Sequence, residues 1–427
     1  MTLFLKDATC IDWKTLAFRS THLAVQPGVG GGTDRLDQLP CAKELAPGDR
    51  VLDCHHRLVT KSFGCGHHHI YSTLARGMPP PPAVPQNFPQ ILAYVWWRVD
   101  RALDLEIIEA SALAAALYCL KNGVTFIIDH HASPLAIEGS LDVVARAFDR
   151  IGVSHLLCYE MSDRDGEGPA AAGLAETERY LKTGAQGHVG LHASFTVGDR
   201  LLQSAAALAR KYDTGIHVHV AEDTADQQAC LKEHRQRVLV RFREAGVLEM
   251  PKSILAHCIH LDPAEKDILR QSGAWVVQNV ESNQNNNVGL ADHSQLGKKV
   301  MLGTDGMHHD MLRSAKAAFL AGQATEGIDP ASIYHRFRNV HRYIASGGFK
   351  GDGDNNLVIL DYDSPTEINQ DNFLAHFVYG LDAVHVDSVI SRGRLVVENR
   401  KVLTVDEREI LAFSREMGNK LWRKLSE

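Results

Sequence analysis

Eight apolar runs of strand length recur between residues 63 and 305, separated by stretches of helical periodicity. That alternation is the pattern of parallel strands joined by crossover helices. The runs are Phe63 to His69, Val124 to His130, Val153 to Cys158, Val189 to Ala193, Gly215 to Val220, Ser253 to His257, Ala274 to Gln278 and Lys299 to Thr304. Helices are expected at Leu103 to Lys121, Leu141 to Ile151, Leu174 to Lys182, Arg200 to Tyr212, Thr224 to Ala245 and Ala264 to Gln271, each with apolar residues three and four apart. Eight such strands suit closure into a (β/α)8 barrel of the TIM type, an α/β architecture, with a doubly wound open sheet as the alternative.

The ends of the chain differ in kind. Residues 1–61 and 354–427 carry short strands separated by Gly, Asp and Asn turns, clearest at Leu357 to Asp361 and Val389 to Val397. Both termini are therefore expected to build one small composite β-sandwich domain beside a barrel of residues 62–353, with a closing helix over Val405 to Leu425. At 427 residues and 44% apolar content the chain can bury both units. Pro79 to Pro82 can neither continue a helix nor donate to a ladder, so a stiff loop on the cleft side is expected there, suited to a lid or a partner contact. The tract Asn283 to Asn287 reads as a polar loop after the seventh strand.

A formal charge of −7 without any basic block argues against nucleic acid or an anionic membrane as partner, leaving a small molecule. The eight cysteines are scattered without a CxxC pair, which indicates a reducing compartment. No run approaches the length of a membrane span, and the N-terminus lacks a basic region followed by an apolar stretch. The cytoplasm is the expected location.

The chemistry concentrates at strand ends. Side chains alternate across a strand, so His67 and His69 share a face with His68 opposed, the geometry for gripping one ion with two imidazoles. Three further stations follow: His219 with Glu222, His257, and Asp305 in Gly303-Thr304-Asp305-Gly306. Singly each has a bland explanation. Histidines also gather at His55, His56 and His68; Glu222 would cap the helix that starts near Thr224, and Asp305 would be a turn residue before Gly306. In order and at strand ends, they form a metal-hydrolase set.

These motifs resemble the amidohydrolase superfamily over nearly the whole chain. Tyr71 to Met78 (YSTLARGM), Asp129 to Pro134 (DHHASP) and Cys158 to Asp165 (CYEMSDRD) are similar to the SsnA-type aminohydrolases of its deaminase and chlorohydrolase branch. The resemblance implies one divalent metal ion, Zn first and Fe(II) second, held by His67, His69, His219 and Asp305. Glu222 and His257 would stand beside the activated water, with Asp305 taking or orienting its proton. It implies substrate contacts at His192, Tyr71, Arg76 and Gln278. No lysine ends the fourth strand, which favours one metal over a bridged pair. His217 shares a face with His219 and is the rival ligand; the position nearer the strand's C-terminal end favours His219. Two departures bear on pocket shape: Lys61-Ser62 replaces the usual Pro-Gly, and Gln278-Asn279-Val280 the usual His-Asn-Pro. His308 and His309 are equally suited to a solvated loop or to substrate contact, and His130 and His131 to pocket-lining or structural roles.

The resulting expectation is an aminohydrolase that adds hydroxide to a ring carbon of a nitrogen heterocycle and releases ammonia. The alternatives are a cyclic amide hydrolase or chlorohydrolase using the same site, or a silent metal-binding scaffold. Barrels of this kind often assemble as dimers or larger rings.

Overall fold

In the computed structural model, which describes residues 1–427, each expected apolar run forms a strand. Barrel strands one to eight are Phe63–His68, Val124–His131, Ser154–Met161, Val189–Ala193, Ile216–Val220, Ile254–His257, Trp275–Gln278 and Val300–Leu302. All pair in parallel and in sequence order. The ring closes where strand one meets the end of strand eight. The amides of Thr304 and Asp305 each donate to the His67 carbonyl at 3.1 Å, and His68 bridges to Asp305. A Cβ on Gly66 would stand 2.9 Å from the Leu302 carbonyl oxygen, and one on Gly303 2.8 Å from that of His67. Glycine at both positions lets the two backbones meet.

Helices cover the outside, begun by side chains that satisfy free amides. Asp104 accepts from the Ile107 amide at the head of Leu105–Lys121, and Asp262 with Glu265 forms a capping box on Pro263–Gln271. The single helix expected over Thr224 to Ala245 is two, Thr224–His234 and Val238–Glu244. Arg235 adopts a left-handed φ of 57° that ends the first.

Alternation along the strands fills the barrel. Phe126, Ile128, Leu156, Ile254, Trp275, Val277 and Met301 point inward at the lower end, where Val340, Tyr343 and Ile344 of the helix Pro330–Ser346 seal it. Farther along the same strands the inward positions become His130, Glu160, His217 and His219.

The terminal strands form one continuous nine-stranded sheet, joined where Leu58–Lys61 runs antiparallel to Leu357–Leu360. One face, with Leu5, Leu23, Val59 and Ile359, makes its own cluster; alternate residues Leu58, Val358 and Leu360 join the barrel core. The run Val389 to Val397 is a hairpin of Val386–Ser391 and Arg394–Glu398, turned by Arg392 and Gly393 at φ 50° and 73°. Two consecutive positive φ angles are what a tight hairpin turn needs. The closing helix is Glu407–Ser426. No helix is long and apolar enough to cross a membrane.

Candidate metal centre and active site

Four side chains from three places in the barrel converge at its C-terminal mouth. Nitrogens of His67, His69 and His219 and a carboxylate oxygen of Asp305 all lie within 4.8 Å of one another. The His69 and His219 Nε2 atoms are 3.1 Å apart, and Asp305 Oδ1 stands 3.0 Å from His69 Nε2 and 3.3 Å from His67 Nε2. The opposite edges of these rings are committed. His69 Nδ1 donates to the His130 carbonyl at 2.6 Å and His219 Nδ1 to the His192 carbonyl at 2.7 Å. A carbonyl only accepts, so both rings carry a proton on Nδ1 and aim Nε2 inward, the atom through which such a ring would bind a metal. His67 Nδ1 pairs with His217 Nε2 at 2.8 Å, and its own Nε2 is buried with no hydrogen-bond partner. His217 thus lies one layer below, behind His67, and the rival ligand reading does not describe this geometry.

Burial drives His67 down to about 3, and burial with the nearby His130 and His67 rings holds His219 well below the ordinary histidine range. Burial would lower His69 as well, but the Asp305 carboxylate, 3.0 Å from its Nε2, outweighs it and raises the ring to about 9. Asp305 sits well below the usual carboxylate range because the His67 and His69 imidazoles, 3.3 and 3.0 Å away, overcome the burial penalty. A single divalent cation among these groups would satisfy the orphaned His67 nitrogen and the Asp305 charge together. Three imidazoles and one carboxylate are a donor set for Zn or Fe(II). The residues therefore fit a resident ion.

Glu222 and His257 complete the mouth. His257 Nε2 lies 3.5 Å from Glu222 Oε2 and 3.9 Å from Asp305 Oδ2, and makes no hydrogen bond. Burial pushes the Glu222 carboxyl above its ordinary range. Glu222 does not cap the following helix; Asp223 does, accepting from the Ala225 amide at 2.8 Å, which leaves Glu222 aimed into the site. Ala221, His257, Cys258 and Asp305 all adopt positive φ, at 45°, 71°, 53° and 52°. Each such residue costs about 1 kcal/mol or more, and their gathering where strands break off marks a mouth held by its surroundings.

The tract Asn283 to Asn287, expected as a loop, begins inside a helix, Val280–Asn285. Ser282 donates to Asp305 Oδ2, and the Asn286 amide donates to Glu222 Oε1 at 3.2 Å. The side-chain Oδ1 of Asn283 accepts from His257 Nδ1 at 2.7 Å. Sequence reasoning missed these residues; the signal available was their spacing, which stacks 282, 283 and 286 on one side of a helical turn.

A cavity with about 550 Å³ of empty space opens over the centre. Tyr71 and His192 line it, His192 through a ring bonded to Thr196 at 2.6 Å. Gln278 and Arg76 do not. Alternation puts Gln278 on the outer face of strand seven with Val276, where it accepts from Arg336 at 3.0 Å. Arg76 ends the 3-10 turn Ile70–Ala75 and faces a groove beside Tyr118 and Leu411 on the closing helix. His308 pairs with Glu281, and His309 with His68 at 2.8 Å; neither reaches the cavity. His131 bonds Ser133 at 3.0 Å. The proline run stays outside too, but the segment it introduces supplies one wall through Phe88, Leu92, Trp96 and Trp97. Glu160, near the end of strand three, is another lining residue that sequence reasoning passed over; the strand-end rule would have found it.

Barrel and centre together define a metal-dependent hydrolase type of site. The amidohydrolase family pattern matches residues 59–336, and the chain belongs to that family. It is 27% identical over 416 residues to a 5-methylthioadenosine/S-adenosylhomocysteine deaminase of Syntrophomonas wolfei, covering 89% of this chain and 92% of the relative. It is 29% identical over 348 residues to a 5'-deoxyadenosine deaminase of Methanopyrus kandleri, covering 76% and 78%. In fold it is similar to an adenosine deaminase of Xanthomonas campestris solved with bound zinc, with a TM-score of 0.82, 19% identity and 98% of both chains covered.

Proposed function

We propose that the protein is a metal-dependent aminohydrolase, a deaminase that replaces an exocyclic amino group on a nitrogen heterocycle with oxygen and releases ammonia. The observation that carries this reading is the convergence of His67, His69, His219 and Asp305 with the Glu222 carboxyl, held at Oε1 by Asn286, and an unbonded imidazole nitrogen, His257 Nε2, beside them. The names of the curated relatives favour deamination over halide displacement or cyclic amide cleavage.

His67, His69, His219 and Asp305 would hold one divalent ion, for which zinc is our choice. Such an ion supplies Lewis acidity that brings the pKa of water to about 7. Asp305 Oδ2 accepts the water proton while Ser282 holds that carboxylate in place. Glu222, whose carboxyl burial keeps proton-bearing at higher pH than usual, delivers a proton to the departing nitrogen. His257, fixed at Nδ1 by Asn283, presents Nε2 to the addition centre. Tyr71, His192 and the Phe88–Trp97 wall orient the ring and exclude water.

The test is ammonia release by zinc-loaded protein from a panel led by 5'-modified adenosines, then free purines, pterins, pyrimidines and triazines. Ammonia from at least one, lost in Glu222→Gln, is the expected result. Turnover without ammonia would move the reading to another hydrolysis, and absence of any turnover in metal-loaded protein to a silent scaffold. All eight cysteines are unpaired, which supports placing the enzyme in a reducing cytoplasm. We further propose a homo-oligomer, to be checked by light scattering.

A further inference from the structure

One carboxylate in the cavity is used by none of the steps above. Glu160 is only 7% exposed, yet it lines the cavity. Its Oε2 accepts from His130 Nδ1 at 3.0 Å. That bond anchors the side chain, because the same ring is pinned at its other edge, where His130 Nε2 donates to the His217 carbonyl at 3.1 Å. Oε1 has no partner in the protein. Because the side chain borders the cavity, a group that enters can supply the donor that the protein does not.

The rest of the lining bears on what enters. It holds Glu222 and Asp305 besides Glu160, and neither lysine nor arginine. Arg164 is packed behind, its guanidinium 5.1 Å from the Trp97 ring centre and paired with Asp100 and Asp165. The wall toward solvent is aromatic, with Trp96 and Trp97. An indole face and a carboxylate oxygen without a partner attract cations and N–H donors, and the lining offers no lysine or arginine to a substrate carboxylate or phosphate.

Glu160 also stands near His69, His130 and His219 in a geometry that a second ion could share. His130 argues against that, since both of its nitrogens already face acceptors.

We infer that Glu160 is a specificity-determining residue that binds a cationic, N–H-bearing group of the substrate, so that the preferred substrates are amino- or guanidino-substituted heterocycles without an anionic arm. The inference rests on the aminohydrolase reading for the site but concerns binding. Its test is therefore calorimetric titration of zinc-loaded protein with two probes, 2,4,6-triaminopyrimidine and orotate, in wild type, Glu160→Gln and Glu222→Gln, with zinc content measured for each. Wild type should bind triaminopyrimidine more tightly than orotate. Glu160→Gln should weaken triaminopyrimidine by roughly tenfold or more, the size of one hydrogen bond to a charged group, and leave orotate unchanged or improved. Zinc should remain at one equivalent throughout.

Equal or tighter orotate binding by wild type overturns the inference even if the variant does not fold. So does an unchanged triaminopyrimidine affinity in a folded Glu160→Gln. Two zinc equivalents falling to one in that variant would assign Glu160 to a second ion instead. No arm depends on ammonia, so a failed deaminase reading leaves these outcomes readable, and ammonia release with Glu160-indifferent binding removes this inference alone.

Discussion

The two ends of the barrel are built from the same strands by opposite rules. At the lower end, inward positions such as Phe126, Ile128, Val277 and Met301 are apolar, fully buried and sealed by Tyr343. At the upper end, inward positions are imidazoles and carboxylates, the backbone turns through positive φ at Ala221, His257, Cys258 and Asp305, and buried nitrogens of His67 and His257 have no partners. The lower end gains stability from burial. The upper end gives some of it up to hold groups that repel, strain and stay unsatisfied until an ion and a substrate arrive. Damage below should therefore appear as lost stability with chemistry intact, and damage above as lost chemistry with the fold intact.

The sharpest way to break this contrast is to take out the ion. Chelation, or His67→Ala, is expected to reduce turnover by about a thousandfold or more, with restoration by zinc only in wild type. Metal analysis checks it, and full metal retention in His67→Ala would remove that residue from the ligand set. Next, Glu222→Gln should lower kcat by roughly 10² to 10⁴-fold while keeping one equivalent of metal. Below the site, Val277→Ala or Met301→Ala should lower unfolding free energy by about 1 to 5 kcal/mol in denaturant titration, with kcat nearly unchanged. A smaller effect is expected of Asn283→Ala, which frees the His257 ring: roughly 10- to 100-fold in kcat at constant metal content.

An effect that is absent at neutral pH joins both ends. Burial lowers His188 to about 3 and His131 and His293 to about 4. Each is neutral when folded and protonates near 6.5 when unfolded, so the unfolded chain binds more protons as acid is added. Stability should be intact above about pH 6.5 and fall toward pH 4, by up to about 1.4 kcal/mol per pH unit for each histidine. Denaturant midpoints across that range check it; a flat profile would mean that these rings are solvated.

The strands were legible in the sequence because they depend on local pattern. Apolar runs locate the strands without knowledge of packing, whereas the grouping of His67, His69, His219 and Asp305 was implied by the resemblance, and the structure brings these four side chains together. Gln278 shows where pattern stops: at a strand's last residue, parity decides between barrel and outer face, and the match to Arg336 lies 58 positions away. Arg235 broke a helix through a left-handed residue that periodicity does not register. The Asn tract was hidden for a related reason. Asparagine is a poor helix former, and Asn283 within the helix and Asn286 at its C-terminal cap are held by bonds to His257 and Glu222, contacts that span 26 and 64 residues.

That tract has a consequence at the level of the gene. A run of near-identical residues is where insertions and deletions are most easily overlooked, since the composition hardly changes. Here one added or lost asparagine between Ser282 and Asn286 would rotate the later positions by about 100° relative to the earlier ones. Ser282 could keep its hold on Asp305 while the partner of Glu222 swung away. A stretch that looks like filler therefore tolerates almost no change in length, and its register can be used to tell working copies of this enzyme from broken ones.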